Sequence, residues 1–210
     1  MFLSMWDALT GEQDDPEQYF GRNIPKNAAG MVQPFTDSPL DKEMIGETIY
    51  MGLINRATRY VYITTPYLIL DNEMVTALTA SAQSGVDVRI ITPHVADKWY
   101  VHAVTRAYYE TLIEKGVKIY EYTPGFIHAK TIVADDRYAV IGTINFDYRS
   151  LYLHFECGVF LYRTECIEKI RSDYERTLSE SQQIMLADSR QIGLARHIIR
   201  SILRVFAPLM

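Results

Sequence analysis

Between Phe126 and Phe146 the chain gathers polar groups able to do chemistry into an otherwise apolar stretch: His128, Lys130, Asp135, Thr143 and Asn145. On a strand, positions two apart share a face, so His128 and Lys130 project together, roughly 7 Å apart along the chain. A lysine on a buried strand is costly unless its ammonium meets an anion, from the protein or from a ligand. Gly142 marks a tight turn that brings the amide of Asn145 back beside the same face. An imidazole, an ammonium and an amide on one face make a phosphate cradle. The imidazole can act as nucleophile or acid near neutral pH. The ammonium and amide stabilise non-bridging oxygens during phosphoryl transfer. Spacing alone equally allows a plainer arrangement, a His and a Lys at a strand end, solvated or paired with Asp135.

The elements that must position this group alternate along the chain. Met31 to Phe35 reads as a short strand. Ser38-Pro39-Leu40-Asp41 predicts a helix start, with Ser38 as N-cap and Pro39 at the first helical position. Arg59 to Thr65 is a β-branched strand stopped by Pro66. Asp71 caps a helix running to Ser84, with Gly85 ending it. Val86 to Thr92 is a strand, Trp99 to Lys115 a helix ending at Gly116, and Val117 to Tyr122 a strand. Successive units of this kind predict an α/β fold, with a mixed, mostly parallel sheet sandwiched between helices. After Pro124-Gly125 the connections shorten. Ile127 to Ala134, Tyr138 to Ile141 and Phe155 to Tyr162 are expected as antiparallel or mixed strands. Helices over Thr164 to Ser181 and Ser189 to Phe206 are expected to close the chain.

Composition narrows the function classes. The 210 residues are 48% hydrophobic and 12% aromatic, ample core material that argues against disorder. No apolar run is long enough to span a bilayer. A net charge of -5 disfavours duplex binding, which depends on neutralising phosphates. The charge is uneven, however. Residues 1 to 20 hold acids and no Lys or Arg, whereas Arg190, Arg196, Arg200 and Arg204 stand in a tail without acids. In that tail Ile198, Ile199, Ile202, Leu203 and Phe206 share one helical face, the pattern of an interfacial helix on anionic lipid. Cys157 and Cys166 are expected as buried or half-buried free thiols.

The spacing His128-x-Lys130-x4-Asp135-x6-Gly142-Thr143-x-Asn145 resembles the HKD signature of the phospholipase D superfamily. Phe146-Asp147-Tyr148-Arg149-Ser150 and Glu156 look most like bacterial cardiolipin synthases. Thr64-Thr65-Pro66-Tyr67, Gly85-Val86-Asp87-Val88 and the run from Gly116 to Tyr122 resemble the second half of that subfamily. The resemblance covers residues 31 to 210. It implies a phospholipase D-like domain over 31–187, a basic amphipathic helix over 188–210, and a connector or remnant of a preceding half over 1–30.

It also implies a metal-independent, cofactor-free transesterification through a phosphohistidine, with phosphatidylglycerol converted to cardiolipin and glycerol. His128 would be one of two catalytic imidazoles, with Lys130 and Asn145 on phosphate oxygens. Glu156 would accept from the other ring nitrogen of His128, and Asp135 would support the turn. Tyr67, Thr143 and His94 are the expected substrate-binding residues, with Asp97 near the headgroup. Arg149 is expected to pair with an acid such as Asp147 or Glu121 or to bind lipid phosphate, the pairing being favoured.

The chain departs from the subfamily in holding one HKD motif instead of two, and in having His154 where Asn is usual. The missing half-site would come from an N-terminal HKD half, the arrangement favoured here, or from a second copy. The implied setting is peripheral, on the anionic phospholipid of the cytoplasmic face of the bacterial membrane, without nucleic acid. A homodimeric single-motif phosphodiesterase or nuclease, and a half-domain that only docks, are the other readings.

Overall fold

The computed structural model describes residues 1–21, 28–40, 42–190 and 203. Its centre is an eight-stranded sheet. Parallel strands β2 (Tyr60–Thr64), β4 (Asp87–Pro93) and β5 (Lys118–Tyr122) are linked through helices α3 (Asn72–Gln83) and α4 (Trp99–Glu114). On the other side of β2 follow β6 (Thr131–Ala134), β7 (Tyr138–Gly142), β9 (Glu156–Tyr162) and β1 (Met31–Asp37), each antiparallel to its neighbour. Strand β10 (Ser181–Ile184), which the sequence did not announce, adds antiparallel to β5. A small parallel ladder joins β3 (Leu68–Ile69) to β8 (Phe146–Asp147).

The mixed α/β sheet between helices is as expected, but its parallel share is smaller: two of the seven pairings in the large sheet. The reason is connection length. Parallel neighbours need a crossover of a dozen residues or more, and β6 and β7 are joined by a tight turn through Asp135 and Asp136, both with positive φ.

Alternation along the strands builds a core on each face. Val61, Ile63, Ile132, Ala134 and Val140 pack with helices α2 (Ile45–Arg56), α3 and α4. Tyr60, Val133, Ala139 and Leu161 pack against α5 (Cys166–Ser179) through Ile167. Helix α1 (Phe2–Thr10) contributes no buried residue. Among the described residues no helix is long and apolar enough to cross a membrane.

Three local expectations are corrected. Helix α2 starts at Ile45, not behind Ser38. Its entry is held instead by Asp37, whose buried carboxylate accepts from the Gly46 amide at 2.7 Å. A Cβ at Gly46 would stand 2.9 Å from that carboxylate oxygen, so the contact requires glycine. The Ser38 hydroxyl is used locally, accepting from the Leu40 amide. Strand β6 begins at Thr131, leaving His128 and Lys130 in the segment that leads into it. Both cysteines are free thiols but exposed.

Helix α6 (Leu186–Arg190) follows β10. Most of the amphipathic segment expected up to Phe206 lies outside the described residues. Leu203, which is described, is half-buried against the main core.

Candidate active site

A cavity of about 750 Å³ opens at one edge of the sheet. Thr64, the last residue of β2, pairs with Thr131, the first of antiparallel β6. That register brings the segment holding His128 and Lys130 to the C-terminal edge of the parallel strands, where α/β sheets bind ligands. Tyr67 enters from the turn after β2, Lys98 and Tyr100 from the start of α4, and Thr143 and Asn145 from the turn after β7. Gly142 ends β7, where a Cβ would lie 2.4 Å from the Cys157 carbonyl oxygen. Glycine here permits close approach of two strands; its φ is not positive, so a turn is not what demands it.

Six of the expected residues therefore share the cavity: His128, Lys130, Asn145, Glu156, Tyr67 and Thr143. The His128 ring is exposed and flanked by aromatics, with Phe126 at 5.6 Å and Tyr67 edge-on at 6.5 Å between centroids. Among the described residues its ring nitrogens have no hydrogen-bond partner. Partial desolvation, aided by the charge of Lys130, pushes the imidazole below its ordinary pKa, with Asp97 opposing. The neutral, nucleophilic form is thereby favoured. Lys130 is half-buried and donates to the His128 carbonyl at 2.8 Å. Desolvation lowers its pKa, against the pull of Glu156 and Asp147.

Asn145 donates to the Ser150 hydroxyl at 3.0 Å, while its carbonyl oxygen is buried and unpaired among the described residues. The loop carrying it is fixed by Tyr50, whose hydroxyl donates to the Ile144 carbonyl at 2.9 Å and whose ring stacks on Phe146. Beneath it Asp147 accepts from the Ser150 amide at 2.7 Å. Burial raises the pKa of Asp147 despite that bond and the Asn145 amide.

Two expected roles, those of Glu156 and His94, are not what the geometry displays. Glu156 accepts from the Thr143 hydroxyl and has His154 Nδ1 3.6 Å away, and it is not bonded to the His128 ring. The strand places its carboxylate behind Thr143, which intercepts it. His94 lies outside the cavity lining. Its Nδ1 meets Glu121 at 2.8 Å, a buried carboxylate also clamped by Arg106 through two bonds and by Tyr109. Burial raises the Glu121 pKa, but Arg106 and then His94 outweigh it and hold the carboxylate ionised.

Asp135 sits at the far end of β6 from His128. There it accepts from the amides of Thr58, Arg59 and Tyr60 and from the Thr58 hydroxyl, at 2.7–3.0 Å. It ties the β6–β7 turn to the start of β2. Asp97 takes the Tyr67 hydroxyl at 2.5 Å and so orients the tyrosine beside His128.

Sequence reasoning missed Lys98 and Tyr100, because nothing in their spacing sets them apart from a helix start. It also favoured an acid over lipid phosphate as the partner of Arg149. Glu121 is occupied by Arg106, and Arg149 Nε donates instead to His154 Nε2 at 3.2 Å, inside the cavity.

The fold is shared with solved structures of the phospholipase D class. Nuc of Salmonella typhimurium, described as a phospholipase D family member, superposes with a TM-score of 0.63 at 15% identity, over 75% of this chain and 99% of that one. Phosphatidylserine synthase of Haemophilus influenzae gives 0.69 at 15% identity, over 89% of this chain and 47% of the other. Residues 50–178 match the family described as cardiolipin synthase, PLD-like domain. The chain belongs to that family. Among its relatives are an uncharacterized protein of Streptococcus mutans, 45% identical over 100% of this chain and 46% of its own length, and a cardiolipin synthase of a Geobacillus species, 36% identical over 100% and 42%. The chain thus spans less than half of these curated relatives.

Proposed function

We propose that this chain supplies one of two HKD half-sites of a phospholipase D-type phosphatidyl transferase that makes cardiolipin from two phosphatidylglycerols. The observation that carries this reading is the convergence of an unpartnered imidazole, a desolvated ammonium and an amide in one cavity. Membership of the cardiolipin synthase family supports the choice of substrate.

The reaction balances as two displacements at phosphorus. The lone pair of one imidazole attacks the phosphodiester, and the phosphorus–oxygen bond to the headgroup glycerol breaks. A second imidazolium gives that oxygen its proton. The same second imidazole then takes the proton of the incoming phosphatidylglycerol hydroxyl, whose oxygen bonds to phosphorus as the phosphorus–nitrogen bond breaks and the first imidazole leaves. Lys130 and Asn145 bind the non-bridging oxygens as charge moves onto them. Tyr67 forms a wall of the His128 site. His128 is one of the two imidazoles, and the other comes from a second HKD unit, an N-terminal half or a second copy. The work takes place on anionic lipid at the cytoplasmic face of the membrane, with the protein peripheral.

The test combines the chain with an N-terminal HKD half and phosphatidylglycerol labelled at phosphorus. An acid-labile, base-stable labelled protein and labelled cardiolipin are expected, both unaffected by chelators. His128→Ala should abolish cardiolipin formation, and Lys130→Ala or Asn145→Ala should each cost on the order of a hundredfold. Turnover that survives His128→Ala excludes the mechanism.

A further inference from the structure

Arg149 enters the cavity at the start of a π-helical turn (Arg149–Leu153), and among the described residues its charge is not met by a carboxylate. Arg59, Arg89, Arg106, Arg171, Arg176 and Arg190 each pair with an acid, whereas Arg56, Arg137 and Arg163, which like Arg149 do not among the described residues, lie outside the cavity lining. Arg149 has His154 instead. A guanidinium carries donors only, so His154 Nε2 must be the acceptor and the neutral ring holds its proton on Nδ1, toward Glu156. The histidine therefore steers the arginine without cancelling its charge. Among the described residues both terminal nitrogens of Arg149 are left without a partner, a fork suited to the two non-bridging oxygens of a phosphodiester.

The acids that could have taken that charge are engaged elsewhere. Asp147 accepts from the Ser150 amide, Glu156 from Thr143, and Glu121 from Arg106. The cavity, at about 750 Å³, is of the size that encloses a ligand of many atoms. A single phosphodiester held by His128, Lys130 and Asn145 does not fill it.

We propose that Arg149, held by His154, binds a second phosphodiester in this cavity, the phosphate of the acceptor phospholipid. This rests on the transferase reading above and adds a source of acceptor choice. In phosphatidylglycerol the attacking hydroxyl is carried on the glycerol attached to the lipid's own phosphate. An arginine on that phosphate therefore sets where the hydroxyl stands relative to the phosphohistidine. Free glycerol and water offer it nothing to hold, so an anionic diester is selected over a neutral alcohol.

The probe is glycerophosphoglycerol, the soluble diester headgroup, titrated calorimetrically into the chain at low salt. Two equivalents are expected for the wild type and one for Arg149→Gln. Arg149→Lys, which keeps the charge but loses the fork, should weaken the second equivalent at least tenfold. His154→Gln, which keeps an acceptor, should hold it better than His154→Phe. A wild-type stoichiometry of one or less overturns the proposal, as does an unchanged stoichiometry in Arg149→Gln. Inorganic phosphate binding at the Arg149 site as tightly as the diester would assign the site to free phosphate and overturn it too. The acid-labile phosphohistidine adduct, whichever imidazole carries it, does not depend on the Arg149 site, so failure of the transferase reading is seen separately from failure here.

Discussion

At the scale of single residues, the site depends on how its environment sets the charge of one imidazole. His128 is displaced below the ordinary imidazole value of 6.5, first by desolvation and then by the Lys130 charge. Both disfavour the protonated ring, so at a given pH near 6 more His128 is neutral than a free imidazole would be. The His128 ring proton followed by NMR should titrate with a midpoint below 6.5, and Lys130→Met should move that midpoint upward. A midpoint above 6.5 would show that desolvation does not govern the ring, and no response to Lys130→Met would show that the ring does not sense the ammonium.

The motif was readable in the sequence because two residues at fixed spacing enter one cavity from one segment. The partner of Glu156 was not readable. Which side chain reaches a carboxylate first depends on the local path of β7 and β9, and here Thr143 stands in front of it. The acid pairing favoured for Arg149 fails for a similar reason: sequence cannot tell which of several acids is already occupied.

At the scale of elements, Asp135 is a fastener between two strand ends. Its four hydrogen bonds hold the β6–β7 turn against the start of β2, and that register places His128 at the opposite end. Burial raises its pKa, but the bonds from Tyr60, Thr58 and Arg59 outweigh it, and the folded-state value falls below 3.8. A depressed carboxyl contributes stability that is present above its unfolded pKa and lost as pH falls through the folded value.

Asp135→Asn keeps the shape but removes one acceptor, leaving donors at Thr58 unmatched. A loss of about 2–4 kcal/mol at pH 7 is expected by urea unfolding. The gap to wild type should close on acidification below about pH 4. A gap independent of pH would mean the charge is not what matters. Strand–helix alternation was legible here because Gly85, Gly116, Pro66 and Pro93 punctuate it. The start of α2 was not legible, since its cap comes from Asp37 across a loop. Strand β10 was not legible either, because Ser181–Ile184 carries no strand composition.

At the scale of the whole molecule, the distribution of charge bears on the lipid contact proposed above. Net charge is -5, which repels such a surface at long range, while Arg196, Arg200 and Arg204 recur every four residues in a segment without acids. The apolar residues of that segment were expected to face lipid, but Leu203 is half-buried against the protein core. At that residue the apolar stripe serves protein packing, and the part of the lipid contact we propose that charge alone decides rests on the arginines. Each basic residue near an anionic surface contributes about 1 kcal/mol. Replacing Arg196, Arg200 and Arg204 together by Gln should then weaken binding to phosphatidylglycerol vesicles on the order of a hundredfold at low salt, with the difference shrinking as salt screens it. Melting temperature should hardly change in that variant, whereas Leu203→Ala should lower it and leave vesicle binding nearly intact. If the triple replacement leaves vesicle binding unchanged, the tail has no part in lipid contact and the proposal that its arginines touch the surface falls.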